Sequence, residues 1–157
     1  MAGSAPWVVV GLDNGGTSNN ATVLDASGAF LVDRMVETPS LVREGPAVAV
    51  DRLRHAFDNV LELTGVARSR VRAVGLDSPG PASADGVISM KGATNFVDPG
   101  WYGFDFRGAL EERLGLPVVY NNDATPPPCT PIMCISAPTR HGTRRCRRSS
   151  APVSAAA

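Results

Sequence analysis

Val8, Val9 and Val10 stand in succession within the apolar run Trp7 to Leu12. β-Branched residues at this density, bounded by turn formers, predict a short buried strand. Asp13-Asn14-Gly15-Gly16-Thr17 follows, and an Asn-Gly pair between two apolar runs predicts a hairpin. Asn20 to Leu24 is the returning strand. Asp25-Ala26-Ser27-Gly28 then signals another turn, and Ala29 to Val36 a third strand. Three antiparallel strands are expected to open the fold.

The period then changes. Pro46 suits the first turn of a helix, and Leu53, Ala56, Phe57, Val60, Leu61 and Thr64 recur on one helical face until Gly65 stops it. Val71 to Leu76 is again nearly all apolar, the pattern of a central parallel strand. Asp77-Ser78-Pro79-Gly80-Pro81 forms a rigid loop at its carboxyl end. Val87-Ile88-Ser89-Met90 is a candidate short strand. A second helix is expected from about Phe106 to Leu114, N-capped by Asp105, with Phe106, Leu110 and Leu114 on one face. Gly115 and Pro117 close it, and Pro117 to Tyr120 is a last strand ending at Asn121-Asn122-Asp123. The order β-β-β-α-β-(β)-α-β predicts an α/β fold with a mixed sheet. Polar or glycine-rich loops fall at three strand ends, 13–17, 77–81 and 121–123, and in open α/β sheets ligands bind outside the carboxyl ends of strands.

Composition alters this picture in one place. The 157 residues include 15 basic and 15 acidic side chains, a balance that excludes a strongly basic nucleic-acid binder and an acidic solvating chain. An apolar content of 43% is enough for a globular core. No apolar run approaches the roughly 18–20 residues that span a bilayer, so no membrane partner is expected. Met1 to Pro6 carries no charged start before a long apolar stretch, so no secretory signal is expected and a cytoplasmic location is. The averages conceal a break, however. Residues 1–124 carry a net charge of −5; residues 125–157 carry five Arg and no acid, together with all three Cys and six of the thirteen Pro. The chain therefore divides into a lobe, 1–124, and a tail, 125–157. Cys129, Cys134 and Cys146 lack the paired short spacing of a metal site.

Three loops carry candidate chemistry. Gly15 and Gly16 bring no side chains, so backbone N–H groups there can approach a phosphate, and Thr17 adds a hydroxyl. Asp13 could hold a water of hydrated Mg²⁺. Taken alone, the pentapeptide is equally an ordinary hairpin turn. Asp123, just past a strand, could accept a proton from a substrate hydroxyl as general base, and Asn121 and Asn122 could bind a polyol; the same residues also suit a plain turn. Gly80 would let a ligand lie against backbone, Asn95 could bond a hydroxyl, and Trp101 could be a buried anchor.

Together the blocks resemble a known family. Val9-Val10-Gly11-Leu12-Asp13-Asn14-Gly15-Gly16-Thr17 resembles the first phosphate motif of the ROK sugar kinases and sugar-responsive repressors. Val74 to Pro81 with Gly86-Val87-Ile88 resembles the next block, and Thr94-Asn95-Phe96, Trp101 and Arg107 to Ala124 the one after. The resemblance covers nearly all of 7–124. It implies an RNase H-like/actin-like ATPase lobe that takes ATP, Mg²⁺ and a small-molecule sugar, and not nucleic acid; the parent family implies a homo-oligomer. By position it implies that Asp13, Gly15, Gly16 and Thr17 face the phosphates, with Asp13 reaching Mg²⁺ through water. Gly80, Asn95, Asn122 and Asp123 would hold the sugar, with Asp123 the catalytic base. Ser18 departs from the family, where Lys often follows Gly-Gly-Thr. The repressor alternative needs a DNA-binding helix-turn-helix ahead of Trp7, where only six residues stand; a non-catalytic sugar-binding module is the other alternative.

The resemblance ends at Ala124. The family continues into a helix beginning Asn-Ala-Ala-Ala-Leu, whereas Pro126-Pro127-Pro128 cannot form a helix interior. Restoring one base near codon 125 makes the proline run compatible with Asn-Ala-Ala-Ala-Leu. The same shift makes Arg148 to Ala157 compatible with Ile-Val-Gly-Thr-Gly-x-Gly-Gly-Gly, which resembles the family's second phosphate motif. The tail thus reads as out of frame and disordered, and the chain as an inactive, truncated hexose kinase of glucokinase or N-acylhexosamine kinase type.

Overall fold

Strand β1 (Val8–Asn14) sits at the centre of a five-stranded sheet ordered β3-β2-β1-β4-β5, with β2 (Ser18–Asp25), β3 (Val36–Pro39), β4 (Val71–Ser78) and β5 (Val118–Asn122). The computed structural model describes residues 6–80, 82–89 and 95–122. All belong to the first of two units, Met1–Pro127; the second, Pro128–Ala157, lies wholly outside the described residues, as do Asp123 and Met90. β1, β2 and β3 pair antiparallel, while β4 runs parallel to β1 and β5 parallel to β4. The mixed sheet matches the expectation from the apolar runs.

Helix α1 (Pro46–Thr64) starts with Pro at its first turn and ends on Gly65 at φ 64°, whose N–H caps the carbonyls of Leu61 and Glu62. A left-handed residue costs glycine nothing, so the stop is encoded by one position. α1 buries Ala49, Val50, Leu53, Ala56, Phe57, Val60 and Leu61. Thr64, expected on that face, is only half-buried and turns its hydroxyl back to the Val60 carbonyl at 2.7 Å. Helix α2 (Phe106–Leu114) opens on Asp105, which accepts from Gly108 N–H at 2.8 Å, and buries Phe106, Leu110 and Leu114. The two helices pack on each other and on one face of the sheet. That face supplies Val8, Val10 and Leu12 from β1, Ala21 and Val23 from β2, Val74 and Leu76 from β4, and Val118 from β5.

The third strand differs from the expectation. Residues 29–35 make one isolated bridge, Leu24 with Phe30, and the paired strand is Val36–Pro39. Phe30, Leu31 and Met35 are exposed, and only Val32 of this stretch packs against the core. Val87-Ile88-Ser89 forms only isolated bridges, Ala82 with Ile88 and Val87 with Asp105. The loop still closes a core: Trp101 is fully buried against Phe96, Phe104 and Phe106, with ring centroids 4.4, 5.6 and 5.1 Å away. Its indole N–H donates to the Val42 carbonyl at 2.9 Å, so Trp101 acts as the anchor.

Candidate functional site at the carboxyl ends of the parallel strands

β1, β4 and β5 are adjacent and parallel, so their carboxyl ends lie along one edge and the three loops that leave them converge there. The register brings Asp13 opposite Asp77, and Asp77 opposite Asn121. On the other side Asp13 faces Asn20 of β2. A polar row thus crosses four strands. Asn20 Nδ2 donates to Asp13 Oδ2 at 3.1 Å, and Asn121 Nδ2 donates to Asp77 Oδ1 at 2.9 Å.

Asp77 did not stand out as a site residue in the sequence, although a signal for it exists. Val10-Gly11-Leu12-Asp13 and Val74-Gly75-Leu76-Asp77 are the same tetrapeptide, and the sheet pairs them residue for residue. Two carboxylates therefore sit side by side on neighbouring strands.

The 15–17 connection is a hairpin, as expected, but its glycines serve close approach and not a left-handed turn. Neither has positive φ. A Cβ on Gly15 would lie 2.6 Å from the Ser18 carbonyl oxygen, and one on Gly16 would overlap the Asn95 carboxamide. Gly15 N–H is spent inside the turn, donating to Ser18 O at 2.8 Å. The N–H groups of Gly16 and Thr17 make no backbone bond among the described residues. Gly16 and Thr17 thus keep the loop's unspent backbone donors among the described residues, and Asn95 is brought directly against the loop.

The other predicted residues fall at the same edge. Asn122 is buried, and its Nδ2 donates to the Gly80 carbonyl, tying β5 to the loop after β4. Ser78 and Tyr120 share a hydroxyl–hydroxyl bond of 2.7 Å that ties β5 to the end of β4 itself. Gly80 has φ 95°, and a Cβ there would meet the Phe96 ring at 3.3 Å. Asp13, Gly15, Gly16, Thr17, Gly80, Asn95 and Asn122 are therefore grouped. Asp123, the expected base, lies outside the described residues. Among the described residues no three His, Cys, Asp or Glu side chains gather as a metal cage. The Asp13 carboxylate, half-buried and with Oδ1 unengaged among the described residues, nonetheless fits a hydrated hard cation, which keeps most of its waters.

Residues 9–126 match the model of the ROK family. The chain belongs to the ROK family. This ROK chain is 33% identical over 116 residues to a glucokinase from Halalkalibacterium halodurans, an alignment covering 73% of the chain and 33% of the relative. It also resembles a ROK hexokinase structure from Thermus thermophilus, with TM-score 0.61 and 37% identity over 74% of this chain and 35% of that one. A ROK glucokinase from Streptomyces griseus, solved with glucose and AMPPNP, gives TM-score 0.50 and 30% identity over 74% and 33%. The chain spans about a third of the length of the curated relatives it matches. Its fold is the N-terminal part of a ROK protein, a lobe of the actin-like ATPase class. No helix among the described residues is long and apolar enough to cross a membrane.

Proposed function

We propose that residues 1–124 are the sugar- and phosphate-facing lobe of an ATP-dependent hexose kinase, with glucose or an N-acylated hexosamine as substrate. The observation that carries this reading is the convergence of the 15–17, Gly80 and Asn121–Asn122 loops at the carboxyl ends of three adjacent parallel strands. The Streptomyces griseus relative, solved with glucose and AMPPNP, supports a sugar and a nucleotide as ligands.

In this reading Gly16 and Thr17 N–H groups donate to phosphate oxygens, and the Thr17 hydroxyl adds a third donor. Asp13 is the residue that would hold hydrated Mg²⁺, through one of its waters. That ion, when bound, would supply charge neutralisation on the phosphates. Asn95 and Asn122 bond sugar hydroxyls beside the Gly80 backbone. Asp123 takes the proton from the attacking hydroxyl as its oxygen bonds to the γ-phosphorus and the bond to the ADP oxygen breaks. The 125–157 tail is out of frame, and the lobe alone does not turn over.

Inserting one base at codon 125 tests this. The expected product is an open frame and a kinase that releases ADP over a hexose panel in a coupled assay. Asp123→Asn in that enzyme should lower the rate by about 10²–10⁴-fold while sugar affinity by calorimetry falls much less. A stop codon soon after the repair overturns the kinase reading. Near-full turnover by Asp123→Asn overturns the catalytic assignment alone.

A further inference from the structure

The helix-covered face of the sheet changes character at one end. Leu12, Ala21 and Val36 lie side by side across β1, β2 and β3, an ordinary apolar row. One step towards the 15–17 turn, the next row on that face is Asn14, Asn19 and Thr38, paired in the same register. Ser40 follows two residues beyond Thr38, and its N–H donates to the Thr17 carbonyl at 3.1 Å. Asn14, Asn19 and Ser40 are 0% exposed and Thr38 8%. Both atoms of each Asn carboxamide and both hydroxyl oxygens have no hydrogen-bond partner among the described residues.

Buried polar groups in native proteins are satisfied almost without exception, because leaving them dry forfeits their hydration. What satisfies this row must both accept and donate, since each carboxamide offers one oxygen and one NH₂ and each hydroxyl can do either. A cation would pair the oxygens and strand both Nδ2 groups. An apolar guest would pair nothing. Water meets both demands and forms about three bonds in such sites. Solvent also lies close by: Thr38 lines a surface cavity of about 360 Å³ with Thr17, Ser18, Glu37 and Pro39.

We propose that Asn14, Asn19, Thr38 and Ser40 form an internal water-binding site at the foot of the 15–17 turn, filled from the cavity beside Thr38. The turn then rests on a hydrated row in place of packed apolar side chains. The proposal does not depend on the kinase reading, since no ligand or turnover enters it.

The test uses the full chain. In solution NMR, the Asn14 and Asn19 side-chain NH₂ protons should show cross-relaxation to long-lived water, and a high-resolution crystal structure should place water within bonding reach of at least three of the six atoms. As an independent readout, Asn14→Leu or Asn19→Leu alone breaks a shared network and should lower Tm by about 4–8 °C. The Asn14→Leu/Asn19→Leu pair removes most of the demand for water and should regain at least half of the loss. Direct bonding between the two carboxamides, with no water between them, overturns the proposal. So does a thallium anomalous peak at the row, which would mark a cation. Independent, additive Tm changes in the two Leu variants also overturn it. If the variants fail to fold, the wild-type spectra and density decide alone.

Discussion

The two faces of this sheet are made by alternate residues of the same strands, yet they meet different surroundings. On one face Val8, Val10, Leu12, Val74, Leu76 and Val118 are buried under α1 and α2. On the other, Val9, Gly11 and Asp13 of β1 pair with Ala73, Gly75 and Asp77 of β4, all only half-buried, and Val119 of β5 is 68% exposed. Parallel strands are ordinarily covered on both faces. Here both described helices lie on the first. The second face is apolar in β-branched content but punctuated by glycine and carboxylate, and it leads straight to the loops of the candidate site. The comparison separates two uses of one pleat: side chains that hold the lobe together, and side chains set at the working edge.

Neighbouring residues give the sharpest way to break that comparison. Val118 is 4% exposed and Val119 points the other way. Val118→Lys should cost about 3–5 kcal/mol by urea unfolding, because an unpaired charge enters the core. Val119→Lys should stay within about 0.5 kcal/mol. Equal losses would mean that the second face is covered in the intact chain. Next in size, Leu76→Ala on the covered face should cost about 2–5 kcal/mol, whereas Leu24→Ala on the other should cost less than about 1.5 kcal/mol, read from the same denaturation midpoints. Asp105→Ala removes the α2 cap to Gly108 and should cost about 1 kcal/mol, with amide exchange rising first in the α2 N-terminal turn.

The smallest effect is electrostatic and belongs to the turn after β2. The Ser27 hydroxyl, then the Ala29 and Ser27 N–H groups, bond the Asp25 carboxylate and hold its pKa below the ordinary aspartate value. A lowered folded pKa means that the contribution to stability is present above the unfolded pKa and is lost as pH falls through the folded one. NMR titration should place the Asp25 midpoint below that of an unstructured aspartate. Ser27→Ala should move the midpoint up, and no movement would remove the Ser27 hydroxyl as the main cause.

Much of the frame was legible because burial was periodic. The Val8–Val10 run, the α1 stripe from Leu53 to Leu61 and the Gly65 and Gly115 stops all act through local geometry that sequence spacing reports directly. The strand-end rule likewise groups Asp13, Gly80 and Asn122 from sequence alone. The third strand misled because Phe30, Leu31 and Met35 are apolar yet face solvent, and nothing local reveals which side the core is on. Asn14 read as a turn residue, since polarity beside glycine is the usual mark of a turn, and Asn19 fell just ahead of the expected strand; only strand register places them inside. The contact of Asn95 with Gly16 spans too much sequence for any spacing rule to suggest it. The Asp13–Asp77 pairing was written twice in the chain as Val-Gly-Leu-Asp, but the repeat gains meaning only once the strands are known to be neighbours.

The environment of Trp101 has a practical consequence. The chain contains two Trp residues, one sealed in an aromatic cluster and the other, Trp7, 45% exposed at the start of β1. Their emission is therefore separable without any label. Trp101 should emit at the blue end and resist collisional quenchers, while Trp7 emits to the red and is reached by iodide. A quencher titration thus reports the aromatic core and the sheet margin independently, in one cuvette and on the unaltered chain.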